Sequence, residues 1–261
     1  IRFNHNQRYI KLPKLAWVKC KSSLKHIENE RIKSVTIKQN ATGQYYMSVL
    51  VTSENQALPK TGKYLGIDLG VSDLAITSDG QKYRSQKLHL KYQKQLHFWE
   101  KRLARRRLKA KAEGIALVDT KNYQKARQHV ARIHEKIANT RKDYLHKITT
   151  ELVENYDVIV IEDLKTNNMI KNHKLARSIA SQSWRQFRVF LEYKCAMYDK
   201  QCVVVNPYKT SQKCSHCGFD SGKKDLDIRK WSCPKCNVEH DRDINAAKNI
   251  MHIGLEQALV K

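Results

Sequence analysis

Residues 63–75 read KYLGIDLGVSDLA, and the chain continues through LAITSDG to Gly80. An apolar run interrupted by glycines, a short turn and a second apolar run predict two adjacent β-strands. The first run contains one acidic residue, Asp68, within the motif GIDLG. The stretch therefore predicts the first strand pair of a sheet, with a carboxylate near the end of its first strand.

Beyond this strand pair the chain alternates between strand and helix patterns. Asp157–Leu164 (DVIVIEDL) is short and rich in Val and Ile, which is typical of a central strand buried on both faces. A polar loop and a helix over about Ser183–Asp199 follow, then a strand at Cys202–Val205 and a final helix over Asp243–Ile253. This order predicts an α/β fold with insertions.

Two long basic helices are predicted between the strand pair and the apolar strand. The first covers about Leu88–Lys111. In the second, from Tyr123 to Leu152, apolar or small residues recur mostly every three or four positions, as on one face of an amphipathic helix. Glu113-Gly114 and Asp119-Thr120 supply a break and an expected N-cap between them. We therefore expect a helical hairpin.

Residues 1–63 have a different pattern from the rest of the chain. Ser34–Lys38 and Tyr45–Val51 read as strands with a turn at Ala41–Gly43. Pro59–Gly62 predicts a linker. The segment begins without Met or a leader sequence, so we expect the later part of a small β-domain in a truncated chain.

Charge is the strongest feature of the composition. The 261 residues include 50 Lys and Arg against 25 Asp and Glu, a formal charge of +25, and 41% are hydrophobic, which indicates a globular protein. No apolar run approaches the roughly 18 residues that span a bilayer. A basic soluble surface or attraction to an anionic membrane would also carry such charge, but the basic residues are spread through most of the chain. The charge favours a nucleic-acid partner.

Four of the seven cysteines form two CxxC pairs separated by 15 residues. This spacing is typical of a tetrahedral structural zinc site with ligands Cys214, Cys217, Cys233 and Cys236. Redox-active pairs are the alternative, but no thioredoxin-like βαβ pattern surrounds either one. His216 and His240 are surplus to four thiolates. The other cysteines, expected to be small buried side chains, are Cys20, Cys195 and Cys202.

Three acidic residues occur in settings that predict one site. Asp68 lies on the first strand, and Glu162 ends the apolar strand, where burial of an unpaired carboxylate costs several kcal/mol and requires a compensating cation. Asp243 begins the last helix, where it could also be an N-cap, and Ala246-Ala247 would let that helix lie close to the sheet. Taken alone, each acid has an ordinary structural explanation. Converging carboxylates favour hard divalent cations, typically two Mg²⁺ that hydrolyse phosphodiesters.

Other catalytic motifs are absent from the sequence. It contains no GxSxG elbow, no Cys–His nucleophile signature and no Walker loop. The GIDLG hairpin also occurs in actin-like ATPases, but these need a second phosphate hairpin and a longer chain.

From Tyr64 to its C-terminus the chain resembles the TnpB proteins of bacterial and archaeal transposons, which are RNA-guided DNA endonucleases related to type V CRISPR effectors. The resemblance rests on GIDLG, LAITSDG, IVIEDL, NPYKTSQKCSHCG, CPKC and HDRDINAAKNI, in this order. It implies an α/β, RNase H-like (RuvC) core with a helical insertion and a zinc ribbon, preceded by part of a wedge β-barrel. Asp68, Glu162 and Asp243 would be the catalytic carboxylates binding two Mg²⁺, and the four cysteines would bind one structural Zn²⁺. The implied partners are a guide RNA from the transposon end and a double-stranded DNA target, in the cytoplasm and associated with the nucleoid.

The resemblance also implies domain bounds and a nucleic-acid interface. The bounds are 1–63 for the wedge part, 64–88, 156–212 and 239–261 for the RuvC parts, 89–155 for the helical insertion and 213–238 for the ribbon. The nucleic-acid contacts would come from Arg102, Arg105, Arg106, Lys109, Arg127, Arg132, Thr210, Ser211 and Gln212. Reading of a motif beside the DNA target involves a family region that precedes residue 1.

Two other functions are compatible with parts of this pattern. A nuclease-inactive relative would repress transcription by guided occupancy, but such relatives typically lack one or more of the three acids. A transposase would end its triad with Glu on a helix, whereas the order here is Asp, Glu, Asp.

Overall fold

A computed structural model describes residues 1–4, 8–21, 32–52, 54–171, 173–225 and 227–259. The N-terminal part of the chain forms two small antiparallel sheets. The first sheet contains β1 (Arg2–Phe3), β2 (Tyr9–Lys11) and β3 (Trp17–Lys19). The second contains β4 (Ile32–Gln39) and β5 (Tyr45–Val51). The predicted strand pair and its turn at Gly43, where φ is 85°, are thereby confirmed.

A five-stranded mixed sheet forms the centre of the rest of the chain. Its strands are β6 (Tyr64–Leu69), β7 (Asp73–Thr77), β8 (Lys82–Arg84), β9 (Val158–Glu162) and β10 (Gln201–Val205). Their order is β10-β9-β6-β7-β8, in which β9 pairs in parallel with both β10 and β6, and β7 pairs antiparallel with both β6 and β8. The predicted mixed α/β class is thereby confirmed.

Helices cover both faces of this sheet. The helices before β10 are α1 (Leu88–Lys91), α2 (Gln93–Ala112), α3 (Lys121–Asn155), α4 (Thr166–Met169), α5 (His173–Gln182) and α6 (Trp184–Met197). Apolar side chains of α3, α5 and α6 pack on one face, against Leu65, Ile67, Ile159 and Ile161. The predicted hairpin is formed by α2 and α3, with Trp99 stacked on His129 at a ring distance of 3.8 Å.

The opposite face of the sheet is covered by the last helix. The chain forms a short hairpin of β11 (Lys230–Ser232) and β12 (Glu239–Asp241), then runs directly into α7 (Arg242–Leu259). Val158, Val160, Val205 and Ile250 form the core on this side. A Cβ on Gly66 would lie 2.0 Å from the carbonyl oxygen of Ala247, so only glycine permits this approach.

The structure corrects several boundaries that were predicted from the sequence. Leu88–Lys111 is interrupted at Tyr92, which caps α1 and precedes α2. Short helices α4 and α5 replace the polar loop expected before α6. Thr120 does occupy the N-cap of α3, but its hydroxyl donates to the Ala116 carbonyl and makes no cap bond.

The three other cysteines are not uniformly buried. Cys195 is buried, whereas Cys20 and Cys202 are half-buried, which corrects the expectation for those two. None of the helices in the described part of the chain is long and apolar enough to cross a membrane.

Candidate functional site

Two of the predicted acids lie side by side at the ends of adjacent parallel strands. Side chains alternate between the faces of a strand, so Asp68 shares a face with Gly66, and Glu162 shares one with Val158 and Val160. This is the face that α7 covers. Ile67 pairs with Ile161 in the sheet, so the next residues along the two strands are Asp68 and Glu162. The parallel register therefore brings the two carboxylates together.

The environment of this carboxylate pair disfavours negative charge. Burial raises the pKa of Asp68 well above its usual value, and the nearby charges of Glu162 and Asp243 add to the shift. Burial also raises the pKa of Glu162 to about 7, although the Leu69 amide donates to its Oε1 at 2.7 Å. No basic side chain in the described ranges forms an ion pair with either acid. The compensating cation expected at Glu162 is thus not a protein side chain.

Asp243 lies in the first turn of α7 and does not cap it. The carboxylate of Asp241 accepts the amides of Asp243 (3.0 Å) and Ile244 (3.2 Å), which is the role of an N-cap. Asp243 instead contacts two guanidinium groups, Arg229 at 3.0 Å and Arg242 at 3.7 Å. The alternative explanation of Asp243 as an N-cap is therefore wrong, and its carboxylate is paired with arginines instead of helix amides.

The three acids share one region but do not form a tight cluster. Asp68 and Glu162 are close enough for each to shift the pKa of the other, and Asp243 is close enough to Asp68 to influence its pKa. Within the described ranges, the four cysteines alone form a group of three or more metal-ligating side chains whose ligand atoms all lie within 4.8 Å of one another. The carboxylate oxygens of the three acids therefore do not all lie within 4.8 Å of one another, and their convergence on one metal site stays a prediction.

The four predicted cysteine ligands converge on one point. Cys214 Sγ lies 3.7 Å from Cys236 Sγ, and Cys217 Sγ lies 3.6 Å from Cys233 Sγ. Four thiolates about 2.3 Å from a tetrahedral zinc ion would be roughly 3.8 Å apart. His240 is buried beside them, with Nε2 3.1 Å from Cys214 Sγ, while His216 is exposed. The four cysteines therefore form a cluster that can hold a structural metal ion.

Burial and backbone amides act on the thiols in opposite directions. Burial alone would raise the pKa of Cys233, but the amides of Cys236 and Lys235 lower it to about 6. Amides that converge on a sulfur stabilise the thiolate, which is the form that binds metal.

Two asparagines of α7 attach the cysteine loop to the helix that carries Asp243. Asn245 accepts the Ser215 amide and donates to the Lys213 carbonyl, both at 2.8 Å. Asn249 donates to the carbonyls of Thr210 (2.7 Å) and Lys213 (2.8 Å). The cysteine cluster and the third acid are therefore parts of one hydrogen-bonded unit.

The basic residues predicted on the hairpin have different surroundings. Arg105, Arg127 and Arg132 are exposed and form no ion pair in the described part of the chain. Arg102 packs on the rings of Phe98 and Trp99, at 4.8 and 5.5 Å. The remaining two have partners within the hairpin: Arg106 donates to the Asn122 carbonyl, and Lys109 lies 3.6 Å from Glu113.

Thr210, Ser211 and Gln212 lie at the base of the cysteine loop. Thr210 is buried, and the Gln212 carbonyl accepts the amide and hydroxyl of Ser221. These bonds brace the loop, and a contact of the three residues with nucleic acid stays a prediction.

Sequence reasoning did not identify Arg229, Asp241 and Asn245 as parts of the site. Asp241 precedes Asp243 by two residues, and only the end of β12 shows which of them caps α7. Asn245 lies two residues after Asp243, and its polar side chain among small apolar residues was a signal that could have found it.

Two protein-family models match parts of the chain. Residues 46–173 match the OrfB_IS605 family model, described as "Probable transposase". Residues 184–250 match a model described as "Cas12f1-like, TNB domain". The second match contains Asp243, the four cysteines and both bracing asparagines.

Two relatives extend these matches over most of the chain. A Streptomyces pristinaespiralis protein named "Putative RNA-guided DNA endonuclease" is 39% identical over 223 residues, covering 85% of this chain and 53% of that protein. "Putative RNA-guided DNA endonuclease InsQ" of Escherichia coli K12 is 32% identical over 270 residues, covering 97% and 64%. The chain thus spans about half to two thirds of the length of these relatives.

One solved structure is entitled "Cryo-EM structure of the Cas12f1-sgRNA-target DNA complex". It covers 83% of this chain and 55% of its own, with 20% identity and a TM-score of 0.49. Proteins of mimivirus named "TnpB-like" are 34% identical over 147 residues, which are 53% of this chain and 28% of the relative. Together the two family models and these relatives show that the chain is similar to TnpB-like proteins and to proteins named as putative RNA-guided DNA endonucleases.

Proposed function

We propose that this chain is the RuvC-type nuclease part of an RNA-guided DNA endonuclease of a transposon. One observation carries the proposal: Asp68 and Glu162, from adjacent parallel strands, project from the sheet face that is covered by the helix carrying Asp243. The sheet order supports an RNase H-like core, because β6 is the central strand, with an antiparallel meander through β7 and β8 on one side and the parallel strands β9 and β10 on the other.

The residues of the carboxylate site fit hard divalent cations such as Mg²⁺. All three donors are carboxylates, and two of them are buried against each other without a basic partner, which is unfavourable unless a cation binds. Asp68, Glu162 and Asp243 would hold the ions. When bound, two such ions activate a water molecule and stabilise the leaving oxygen of a phosphodiester.

The protein's own residues prepare this site in three ways. The Leu69 amide fixes the direction of the Glu162 carboxylate. The Asp241 cap starts α7 so that Asp243 lies in its first turn, where the amide ends of the helix favour an anion. Arg229, exposed beside Asp243, is placed to attract a phosphate towards the three acids.

We further propose that the metal held by the cysteines is Zn²⁺ and that its role is structural. Four thiolates at these separations match tetrahedral zinc and leave no position for a substrate. We propose that the chain is divided into domains at the bounds predicted from the sequence. The zinc ribbon (213–238) then lies between the RuvC parts 156–212 and 239–261.

The proposed partners are a guide RNA and a double-stranded DNA target. The charge of +25 supports a polyanionic partner, and the relatives' names associate the family with RNA-guided DNA cutting. Base pairing with the guide would select the target, while the protein would bind backbone. Because the relatives are longer, these activities are proposed for the protein that contains the whole family architecture.

The test is purification from the native locus and sequencing of the RNA that accompanies the protein. That RNA is expected to direct Mg²⁺-dependent cutting of a matched duplex, and Asp68→Ala to abolish cutting while RNA binding persists. Asp73→Asn, on the neighbouring strand, is the matched control and should cut normally. Absence of copurified RNA and of guided cutting would refute the proposal, and cutting by Asp68→Ala would show that the acids are misassigned.

The same experiment separates the two alternative functions. A guided repressor would bind the matched duplex without cutting it, which the presence of all three acids argues against. A transposase would join DNA ends instead of leaving 5′ phosphates.

A further inference from the structure

A small cleft of about 20 Å³ between α1, α3 and the end of α5 is lined by two cations, Lys87 and Arg141. His89 of α1 and Arg177 of α5 lie close to them. Burial lowers the pKa of His89, and the charges of Arg177, Arg141 and Lys87 lower it further. The four basic side chains are thus near neighbours.

The cations of this cleft form no ion pair in the described part of the chain. None of Lys87, Arg141 and Arg177 forms an ion pair. Arg141 donates through one nitrogen to the Ser183 hydroxyl at 2.9 Å. Asp73 influences Tyr144 in the same cleft but is bonded to none of the cations. Like charges at close range repel one another, so a bound anion would stabilise the arrangement.

Two buried nitrogen atoms in the cleft lack hydrogen-bond partners. They are Nε of Arg141 and Nδ1 of His89, in structure that otherwise satisfies nearly all such atoms. Burial of a polar atom without a partner costs about 1–3 kcal/mol, and more where the group is charged. A ligand that accepts hydrogen bonds and carries negative charge would satisfy the Arg141 Nε donor.

The walls of the cleft are held in an unusual backbone conformation. Lys87 and Ser183 have φ values of 45° and 56°, in the left-handed region that residues with a Cβ rarely adopt. Between them, buried Gln182 donates to the Val71 carbonyl (2.9 Å) and the Ser85 hydroxyl (2.7 Å). Strain of this kind concentrates at binding sites, where surrounding bonds maintain it.

Hydrogen bonds connect this cleft to the carboxylate site. Leu69, whose amide binds Glu162, is two residues from Val71, whose carbonyl binds Gln182. After Ser183, helix α6 presents Trp184 and Arg185 to a cavity of about 360 Å³ that is also lined by Glu162. The cleft and the two buried acids therefore both lie near the end of β6.

We propose that Lys87, Arg141 and Arg177 form a phosphate-binding site that holds a phosphodiester of the nucleic acid beside the carboxylate site. Guanidinium groups bind phosphate through paired hydrogen bonds, and a lysine adds a point charge. The site is separate from the exposed cations of the α2–α3 hairpin. This phosphate-binding site rests on the proposed function only because its ligand is taken to be a nucleic acid.

The test measures binding of the full chain to fluorescein-labelled single-stranded RNA and DNA of unrelated sequence, about 30 nucleotides long, by fluorescence anisotropy without added Mg²⁺. Salt titration counts phosphate contacts, because each contributes about −0.7 to the slope of log K against log[NaCl] for single strands. The variants are Arg177→Gln and Arg141→Gln, alone and together. The matched control is Lys147→Ala, on the same helix as Arg141, which removes a cation already paired with Asp143 at 2.8 Å.

The double variant is expected to have a slope shallower by about 1.4 for two lost contacts, which corresponds to about 25-fold weaker binding at 100 mM NaCl when the affinities are equal at 1 M. Loss for RNA alone assigns the phosphate to the guide, loss for DNA alone assigns it to the target strand, and loss for both assigns a common path. Unchanged affinity and slope for both polymers in a folded double variant would refute the site. Arg141→Lys should retain the slope.

A second pair of variants and a comparison of binding with cutting make the result of this test unambiguous. If Arg141→Gln fails to fold, the exposed pair Arg177→Gln and Lys87→Gln carries the same test. Binding is measured without cutting, so a chain that binds through this site but never cuts would overturn the proposed function alone. If the protein cuts DNA under RNA guidance but replacement of Lys87, Arg141 and Arg177 leaves its nucleic-acid affinity unchanged, only the phosphate-binding site is refuted.

Discussion

Asn245 joins the cysteine loop to the helix that carries Asp243, so its replacement tests whether the metal cluster helps to position that carboxylate. The side chain is 1% exposed, accepts the Ser215 amide and donates to the Lys213 carbonyl. In Asn245→Ala the carbonyl retains its bond from Asn249, but the amide loses its partner. The loop would then be attached to α7 mainly through Asn249.

The cost of this change follows from the two bonds. One lost hydrogen bond and one unsatisfied amide should together destabilise the protein by about 2–3 kcal/mol. For a protein of this size, 1 kcal/mol lowers the melting temperature by about 2–4 °C, so a decrease of about 5–10 °C is expected. All four cysteines remain, so the metal content should stay at one ion per chain.

Thermal unfolding and zinc release after thiol modification measure the two quantities on the same preparation. Lys248→Ala, an exposed residue of the same helix, is the control and should change neither. An unchanged melting temperature in Asn245→Ala would show that the loop is not held to α7 by this residue. Loss of zinc together with stability would contradict the expected separation of the two roles, because metal binding and docking of the loop would then be inseparable.

Three other substitutions test the fold around the site. Asp157→Asn should cost about 3 kcal/mol at pH 7, because buried Lys200 loses its 2.5 Å partner. Lys200 holds the pKa of Asp157 well below its usual range, so the stability from this ion pair is present above about pH 4 and is lost as the pH falls further. Urea unfolding that shows the same difference between the variant and the wild type at pH 3 and pH 7 would contradict the ion pair. Gly66→Ala should cost at least about 3 kcal/mol by displacing α7 from the sheet, and normal stability in chemical denaturation would be incompatible with the 2.0 Å approach to Ala247. Cys233→Ser should release the metal and lower the melting temperature, whereas an unchanged melting profile would argue against a structural metal ion.

Much of the central sheet could be predicted from the sequence because its signals are local. The apolar run around Ile159 and Ile161 is short, β-branched and free of turn residues, so it could be placed in the middle of a sheet before any contact was known. The two CxxC pairs were equally informative, because each turn aims its thiols at one point whatever surrounds it.

The features that were missed depend on contacts between distant segments. No proline or glycine marks the break at Tyr92, so the helical pattern of the sequence continues through it. The choice between Asp241 and Asp243 as the cap of α7 is made by the pairing of Lys230 with Asp241, which ends β12 at that residue. The contact of Arg229 with Asp243 follows from the same hairpin and has no local signal.

The central claim is that Asp68, Glu162 and Asp243 form one site for divalent metal ions. Titration of the chain with Mn²⁺, followed by electron paramagnetic resonance and competed with Mg²⁺, tests it without requiring a guide or a target. Mn²⁺ prefers carboxylate oxygens to the thiolates of the cysteine cluster, so the two metal sites are distinguished. The wild-type chain is expected to bind two Mn²⁺ that Mg²⁺ displaces, Asp68→Asn and Asp243→Asn to lose that binding, and the exposed control Asp225→Asn to retain it. Equal Mn²⁺ binding by all four proteins would contradict the claim.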